Sequence, residues 1–196
     1  RPFNGDEVQR LFTSPAFTGC RGPRRRFDAG PYRLMDAYFW IPILGYYTGA
    51  RLSELVQLHL GDVALDGTVP HLDFNEEVRS GDGSSKKHLK SAAAVRRVPL
   101  HDDVLALGFE QFVRRRKADG RAKVCGRLFF EVEFGADGQA GTVFSKWFAR
   151  LMDRAGLDDP SLVFHSFRHT AEDALRNALQ PSYVINRIIG HESGHV

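Results

Sequence analysis

Apolar residues recur at helical spacing through most of the chain, and the polar residues between them divide it into short elements. Asn4 followed three residues later by Glu7 is a helix-capping pattern, and Val8, Leu11 and Phe12 supply an apolar face behind it. After a loop from Gly19 to Pro31, the segment from Tyr32 to about Tyr47 carries Leu34, Tyr38, Phe39, Ile41, Ile43 and Leu44. It predicts a buried helix that Pro42 starts or kinks. Thr48-Gly49 interrupts the pattern, and Thr48 is placed to cap a helix through about Leu60 with Leu52, Leu55 and Val56 inward, which puts Arg51 in the first turn.

Between Asp62 and His101 the period shortens. Asp66-Gly67 and Gly81-Asp82-Gly83 are turn signals, and the runs beside them predict a small antiparallel sheet of about Leu65–Phe74, Lys86–Lys90 and Arg96–Leu100. Asp102 can cap a helix through about Lys117, burying Val104, Leu105, Phe109, Phe112 and Val113, with the basic run Arg114–Lys117 at its dipole-favoured end. Residues 120–141 are glycine-rich around Leu128 to Phe130. Thr142 then caps a helix carrying Phe144, Trp147, Phe148 and Leu151. A helix from about Ser166 to Leu179 buries Phe167, Ala171, Ala174 and Leu175, and Pro181 starts a last one with Val184, Ile185, Ile188 and Ile189, which Gly190 stops. The expected architecture is one mainly α (α+β) domain over residues 1–196, a helical bundle with a small antiparallel β-insert.

Composition narrows the setting more than the function. With 196 residues, 42% hydrophobic, the chain can bury a full core, and 27 Lys+Arg against 24 Asp+Glu leave a charge of +3, only a weak lean toward polyanions. Cys20 and Cys125 are far apart, which excludes a disulfide framework or a C-x-x-C metal pair and fits the reducing cytoplasm. The longest apolar stretch, Tyr38 to Tyr47, is broken by Pro42 and Gly45 and falls short of the ~18–20 residues of a membrane span, so no membrane partner is expected. The first residue is Arg1 rather than Met, which suggests a fragment.

Three local patterns carry candidate chemistry. In Tyr47-Thr48-Gly49-Ala50-Arg51-Leu52-Ser53-Glu54-Leu55 a carboxylate stands three residues after a guanidinium, close enough on a helix to hold it. In His165-Ser166-Phe167-Arg168-His169 an imidazole and a guanidinium project together, which is costly unless an anion such as a phosphodiester lies between them. In Ile188-Ile189-Gly190-His191 a histidine is delivered just past a helix end. The overlapping His191-Glu192-Ser193-Gly194-His195 matches the H-E-x-x-H of zinc proteases, but Gly190 and Ser193-Gly194 break the continuous helix that the motif needs, so no metal is expected. Lys90 sits before the basic strand with Arg96 and Arg97. In order, Arg, Lys, His-x-x-Arg and His supply what phosphoryl transfer without metal needs: guanidiniums for the non-bridging oxygens and proton carriers for the attacking and leaving ones.

On these residues the chain resembles the catalytic domain of the tyrosine recombinases, most closely the phage-type integrases. The segment from Tyr47 to Leu55 is similar to the family's first-arginine motif, and His165-Ser166-Phe167-Arg168-His169-Thr170 to its H-x-x-R-H-T box. Ile189-Gly190-His191 is similar to its third box, and Arg97-Val98-Pro99-Leu100-His101 to the strand after its active-site lysine. The resemblance implies a site-specific recombinase that cleaves and rejoins double-stranded DNA through a 3′-phosphotyrosine, with no cofactor, as a tetramer of protomers on a bacterial or phage DNA site.

Carried over residue by residue, Arg51 and Arg168 would clamp the scissile phosphate and Lys90 would protonate the leaving 5′-hydroxyl. His165 would assist proton transfer at the nucleophile, His191 would hydrogen-bond a phosphate oxygen, and Glu54 would support the site. Lys86 and Lys87 compete with Lys90, which is preferred for its distance from Val98-Pro99-Leu100. The family's nucleophilic tyrosine would fall near position 200, past Val196, and its N-terminal core-binding domain would precede Arg1, so the expectation is a fragment inactive without its tyrosine segment. Tyr46, Tyr47 and Tyr183 all precede His191, and Tyr183 is expected in the core. The alternative is a non-catalytic DNA-binding module: residues 166–179, the Gln180-Pro181 turn and the next helix resemble a helix-turn-helix. In either case Arg24, Arg25, Arg26, Arg96 and Arg97 are candidate DNA-backbone contacts.

Overall fold

A computed structural model of the chain describes residues 1–78, 87–136 and 140–191. Its helices are α1 (Gly5–Phe12), α2 (Pro15–Thr18), α3 (Ala37–Thr48), α4 (Leu52–Val56), α5 (Asp102–Ala106), α6 (Phe109–Ala118), α7 (Gly120–Cys125), α8 (Ala140–Arg154), α9 (Ser166–Asn177) and α10 (Ser182–Ile189). The strands β1 (Val63–Ala64), β2 (His71–Phe74) and β3 (Arg96–Pro99) form one antiparallel sheet in the order β1-β2-β3, with Leu72 facing both Val63 and Val98 in register. The predicted class, a helical bundle with a small antiparallel insert, is therefore the observed one.

Sequence chemistry explains most element boundaries. Asn4 accepts from the Glu7 amide while the Glu7 carboxylate returns to the Asn4 amide, so the predicted capping box starts α1. Asp36 caps α3, and Pro42 sits inside it without ending it. The α3 surface is apolar nearly all round, and it runs through the core: Phe39, Trp40, Ile41 and Leu44 are buried. Trp40 meets Phe109 and Phe112 of α6 edge-on or tilted, and Phe167 of α9 packs against Phe148 and Phe164. Helix α9 lies on α3, α10 lies on α9, and β3 lies against α10.

Several boundaries differ from the sequence expectation. The helix expected from Thr48 to Leu60 is shorter, because Gly49 takes the left-handed conformation at φ 63° and ends α3, and Arg51, extended at φ −69° and ψ 149°, is the residue before α4. The helix expected from Asp102 to Lys117 is two, separated at Gly108, whose φ of 97° no helix accommodates. Residues 120–125 form α7, capped by Asp119, within the segment read as a glycine-rich loop. Strand β2 is only the end of the expected Leu65–Phe74 run. Residues 87–90 are not a strand, and Lys86 with the Gly81–Gly83 turn lies outside the described residues. The arginine-rich loop folds on itself, with Cys20 bridged to Ala29 and Tyr32. Among the described residues no helix is long and apolar enough to cross a membrane.

Candidate functional site

The site grows from the place where α9 and α10 pack on the end of α3. Gly49 and Gly190 make that packing possible. A Cβ on Gly49 would stand 2.7 Å from Ile189 Cδ1, and one on Gly190 would stand 2.9 Å from an Arg96 nitrogen; both residues also have positive φ. The turns they form release Arg51 and His191 toward one point.

Arg168, in the first turn of α9, ties these turns together. The residue is 2% exposed, and its guanidinium donates to the carbonyl of Gly49 at 3.2 Å and to that of Gly190 at 3.3 Å. It touches two neutral oxygens rather than a carboxylate, an incomplete compensation for a buried charge. Burial, and then the neighbouring charge of Arg51, push its pKa down to about 10.

Among the described residues Glu54 is the acid that binds the guanidiniums of this cluster directly. Its carboxylate accepts from the Arg51 amide at 2.9 Å, from the Arg51 guanidinium at 2.8 Å and from the Arg96 guanidinium at 2.8 Å. Burial alone would raise its pKa, but the hydrogen bond and charge of Arg96, followed by the bonds from Arg51, hold it below the usual carboxylate value. Arg96 reaches further, donating to the carbonyls of Ile188 and Ala94 at 2.8 Å each and lying over the Phe74 ring. It thus binds the end of α10, which delivers His191, to the acid that holds Arg51.

This overturns the expected role of Arg96 as a DNA-backbone contact, because its side chain is fully enclosed. The signal was in the alternation of β3: Arg96 and Val98 are buried while Arg97 and Pro99 are exposed. Arg26 is likewise not a surface contact. It is buried, paired with Asp36 and stacked over Tyr38. Arg24 and Arg97 are exposed, and Arg25 is exposed while paired with Asp28.

His165 and His191 complete the convergence. Burial first, and then His169, Arg168, Arg51 and His191, lower the proton affinity of His165; burial first, and then Arg168, lower that of His191. The structure therefore brings Arg51, His165, Arg168 and His191 into one electrostatic field, with Glu54 and Arg96 behind. Among the described residues the three guanidiniums outweigh the Glu54 carboxylate and the weaker influence of Glu172, which leaves the cluster positive and the two imidazoles reluctant to add more charge. That arrangement suits an anion with several oxygens.

Lys90 is exposed and, among the described residues, nothing joins it to that cluster. Lys87 is not a free cation: its side chain is 2% exposed and pairs with Asp62 at 2.8 Å. Tyr47 donates to Asp103 at 2.9 Å, and burial, then that bond, push its pKa up to about 12, so it is poorly suited to ionise. Tyr183 is 74% exposed rather than in the core, because it lies two positions, or about 200° around α10, from the buried Ile185. In the H-E-x-x-H match, Gly190 ends α10 before His191, and Glu192 to His195 lie outside the described residues. Among the described residues no three His, Cys, Asp or Glu are grouped to hold a metal ion.

This fold is shared with solved structures. Over 98% of its length the chain superposes on 57% of the XerA recombinase at 21% identity, with a TM-score of 0.61. It superposes on 58% of the Tn1549 transposon integrase bound to transposon right-end DNA at 20% identity (98% of this chain, TM-score 0.62). The integrase from mycobacterium phage Brujita is matched over all of this chain and 50% of its own, at 18% identity and a TM-score of 0.58. The chain thus spans between half and three fifths of these solved proteins. A comparison with curated proteins found no match. The phage integrase family profile matches residues 35–196, and the chain belongs to that family.

Proposed function

We propose that residues 1–196 are the catalytic domain of a site-specific recombinase that cleaves and rejoins duplex DNA without a metal, through a tyrosine nucleophile. The observation that supports this best is the convergence of Arg51, Arg168, His165 and His191 beside a buried Glu54–Arg96 pair. In this reading the two guanidiniums neutralise the non-bridging oxygens of one phosphodiester, and His191 donates to one of them. The tyrosine oxygen attacks phosphorus, its proton passing to His165. The P–O5′ bond breaks, and the O5′ takes a proton from the Lys90 ammonium. The 3′-phosphotyrosine then holds the strand until another 5′-hydroxyl reverses the step. Tetramer assembly on DNA in a bacterial or phage-infected cell completes the reading.

The test is a duplex nicked a few nucleotides from the scissile phosphate, so that the released fragment diffuses away. The complete protein, with a chelator present, is expected to form a detergent-resistant adduct on the 3′-phosphate and to leave a free 5′-hydroxyl. A module that only binds DNA would shift the duplex and never become attached. Loss of the adduct on chelation would contradict the metal-free chemistry.

A further inference from the structure

The segment leading to Lys90 is held residue by residue. Lys87 Nζ donates to Asp62 at 2.8 Å, to the Asn75 side-chain oxygen at 2.8 Å and to the Glu77 carbonyl at 3.1 Å. Asp62 is wholly enclosed and accepts further from the His59 amide at 2.7 Å and from Asn75 at 3.1 Å. At the next position the backbone is clamped from both sides, with Gln57 donating to the His88 carbonyl at 2.9 Å and accepting from the His88 amide at 2.8 Å. Leu89 is buried, and its amide donates to Glu76 at 2.8 Å. Lys90, one residue on, is exposed.

A buried ion pair and a two-point backbone clamp are more restraint than an exposed connection needs, since ordering each residue costs conformational entropy. The clamp also has a particular origin. Gln57 is the residue that closes α4, and Arg51 is the residue that opens it. One short helix thus holds Arg51 at one end and the root of Lys90 at the other, so the two cations share a rigid reference.

We propose that Gln57, Asp62 and Lys87 are positioning residues that set Lys90 at a fixed place relative to Arg51. The proposal rests on the reading of Lys90 as proton donor to the leaving O5′. A long lysine side chain samples many rotamers, and displacing its root by about 1 Å is enough to cost up to about 100-fold in proton delivery.

The experiment compares ordinary DNA with DNA whose scissile 5′-bridging oxygen is sulfur, using the complete protein. With sulfur the P–S bond breaks and the thiolate leaves without taking a proton, so a defect confined to proton donation disappears. Gln57→Ala and Lys87→Met are expected to slow cleavage of ordinary DNA by about 10- to 100-fold and to match the wild type on the sulfur substrate. Lys90→Ala is expected to follow the same pattern with a larger loss. Gln57→Ala leaves the buried pair intact and decides the matter alone where Lys87→Met does not fold. Slow cleavage by Gln57→Ala on both substrates, or no slowing on either, overturns the positioning role. A Lys90→Ala defect that sulfur does not relieve overturns the reading of Lys90 on which it rests.

Discussion

Arg168→Ala is expected to lower strand cleavage by about 10³-fold or more while the domain still folds, in line with the worth of an arginine on a transferring phosphoryl group. The two halves of that expectation have different origins. Arg168 is buried among Arg51 and Arg96, and its proton affinity is already lowered by burial and by those charges, so removing it relieves repulsion. Against this, the carbonyls of Gly49 and Gly190 lose their donors. The two changes oppose each other, leaving a net effect on stability of about 1–2 kcal/mol. Chemistry has no such compensation, because the phosphate loses one of its two guanidiniums. Arg168→Lys keeps a charge but not the fork that serves two carbonyls at once, and it should fall between wild type and Ala. Single-turnover cleavage of the nicked duplex, with thermal unfolding of the same variants, measures both halves.

Glu54→Gln is expected to damage stability most. It preserves shape and removes the acid that, among the described residues, pairs with both Arg51 and Arg96, leaving an enclosed guanidinium without its counter-charge. Breaking such a pair costs about 3–5 kcal/mol, or roughly 10 °C in unfolding temperature for a chain of this size. Adding Arg96→Met, which removes the stranded charge, should recover much of the loss, because the damage lies in the unpaired cation. The double variant should nevertheless cleave poorly, since Arg96 also holds the Ile188 carbonyl at the end of α10 and hence the position of His191. Unfolding curves of the two single variants and the double variant test this, and additive losses would contradict it.

The sequence made the outline of the site readable because each of its groups stands at a local structural signal. Glu54 follows Arg51 by three residues, His165 precedes Arg168 by three, and Gly190 stops α10 just before His191. What local spacing does not carry is the burial of long charged side chains by partners far along the chain. Arg96 finds Glu54 from 42 positions away and Lys87 finds Asp62 from 25, so runs of basic residues read as solvent-facing until the fold closes over them. For Arg96 the two-residue period of β3 held the missing information, since it groups Arg96 with the buried Val98. The expected Asp102–Lys117 helix divides where the left-handed Gly108 overrules an otherwise continuous apolar pattern.

The central claim is that one DNA phosphate sits among Arg51, Arg168, His165 and His191. In the free protein both imidazoles have lowered proton affinities. Near pH 6.5 the unfolded chain therefore binds more protons than the folded one, and stability present above that pH is lost as pH falls through the folded values. A phosphate between the rings and the guanidiniums reverses the balance, so DNA binding takes up protons and tightens as pH falls toward 6. An NMR titration of the two imidazoles, free and saturated with duplex, measures this site by site. Both should titrate below 6.5 in the free protein and move up on the duplex; values unchanged by bound DNA would place the phosphate elsewhere and contradict the account.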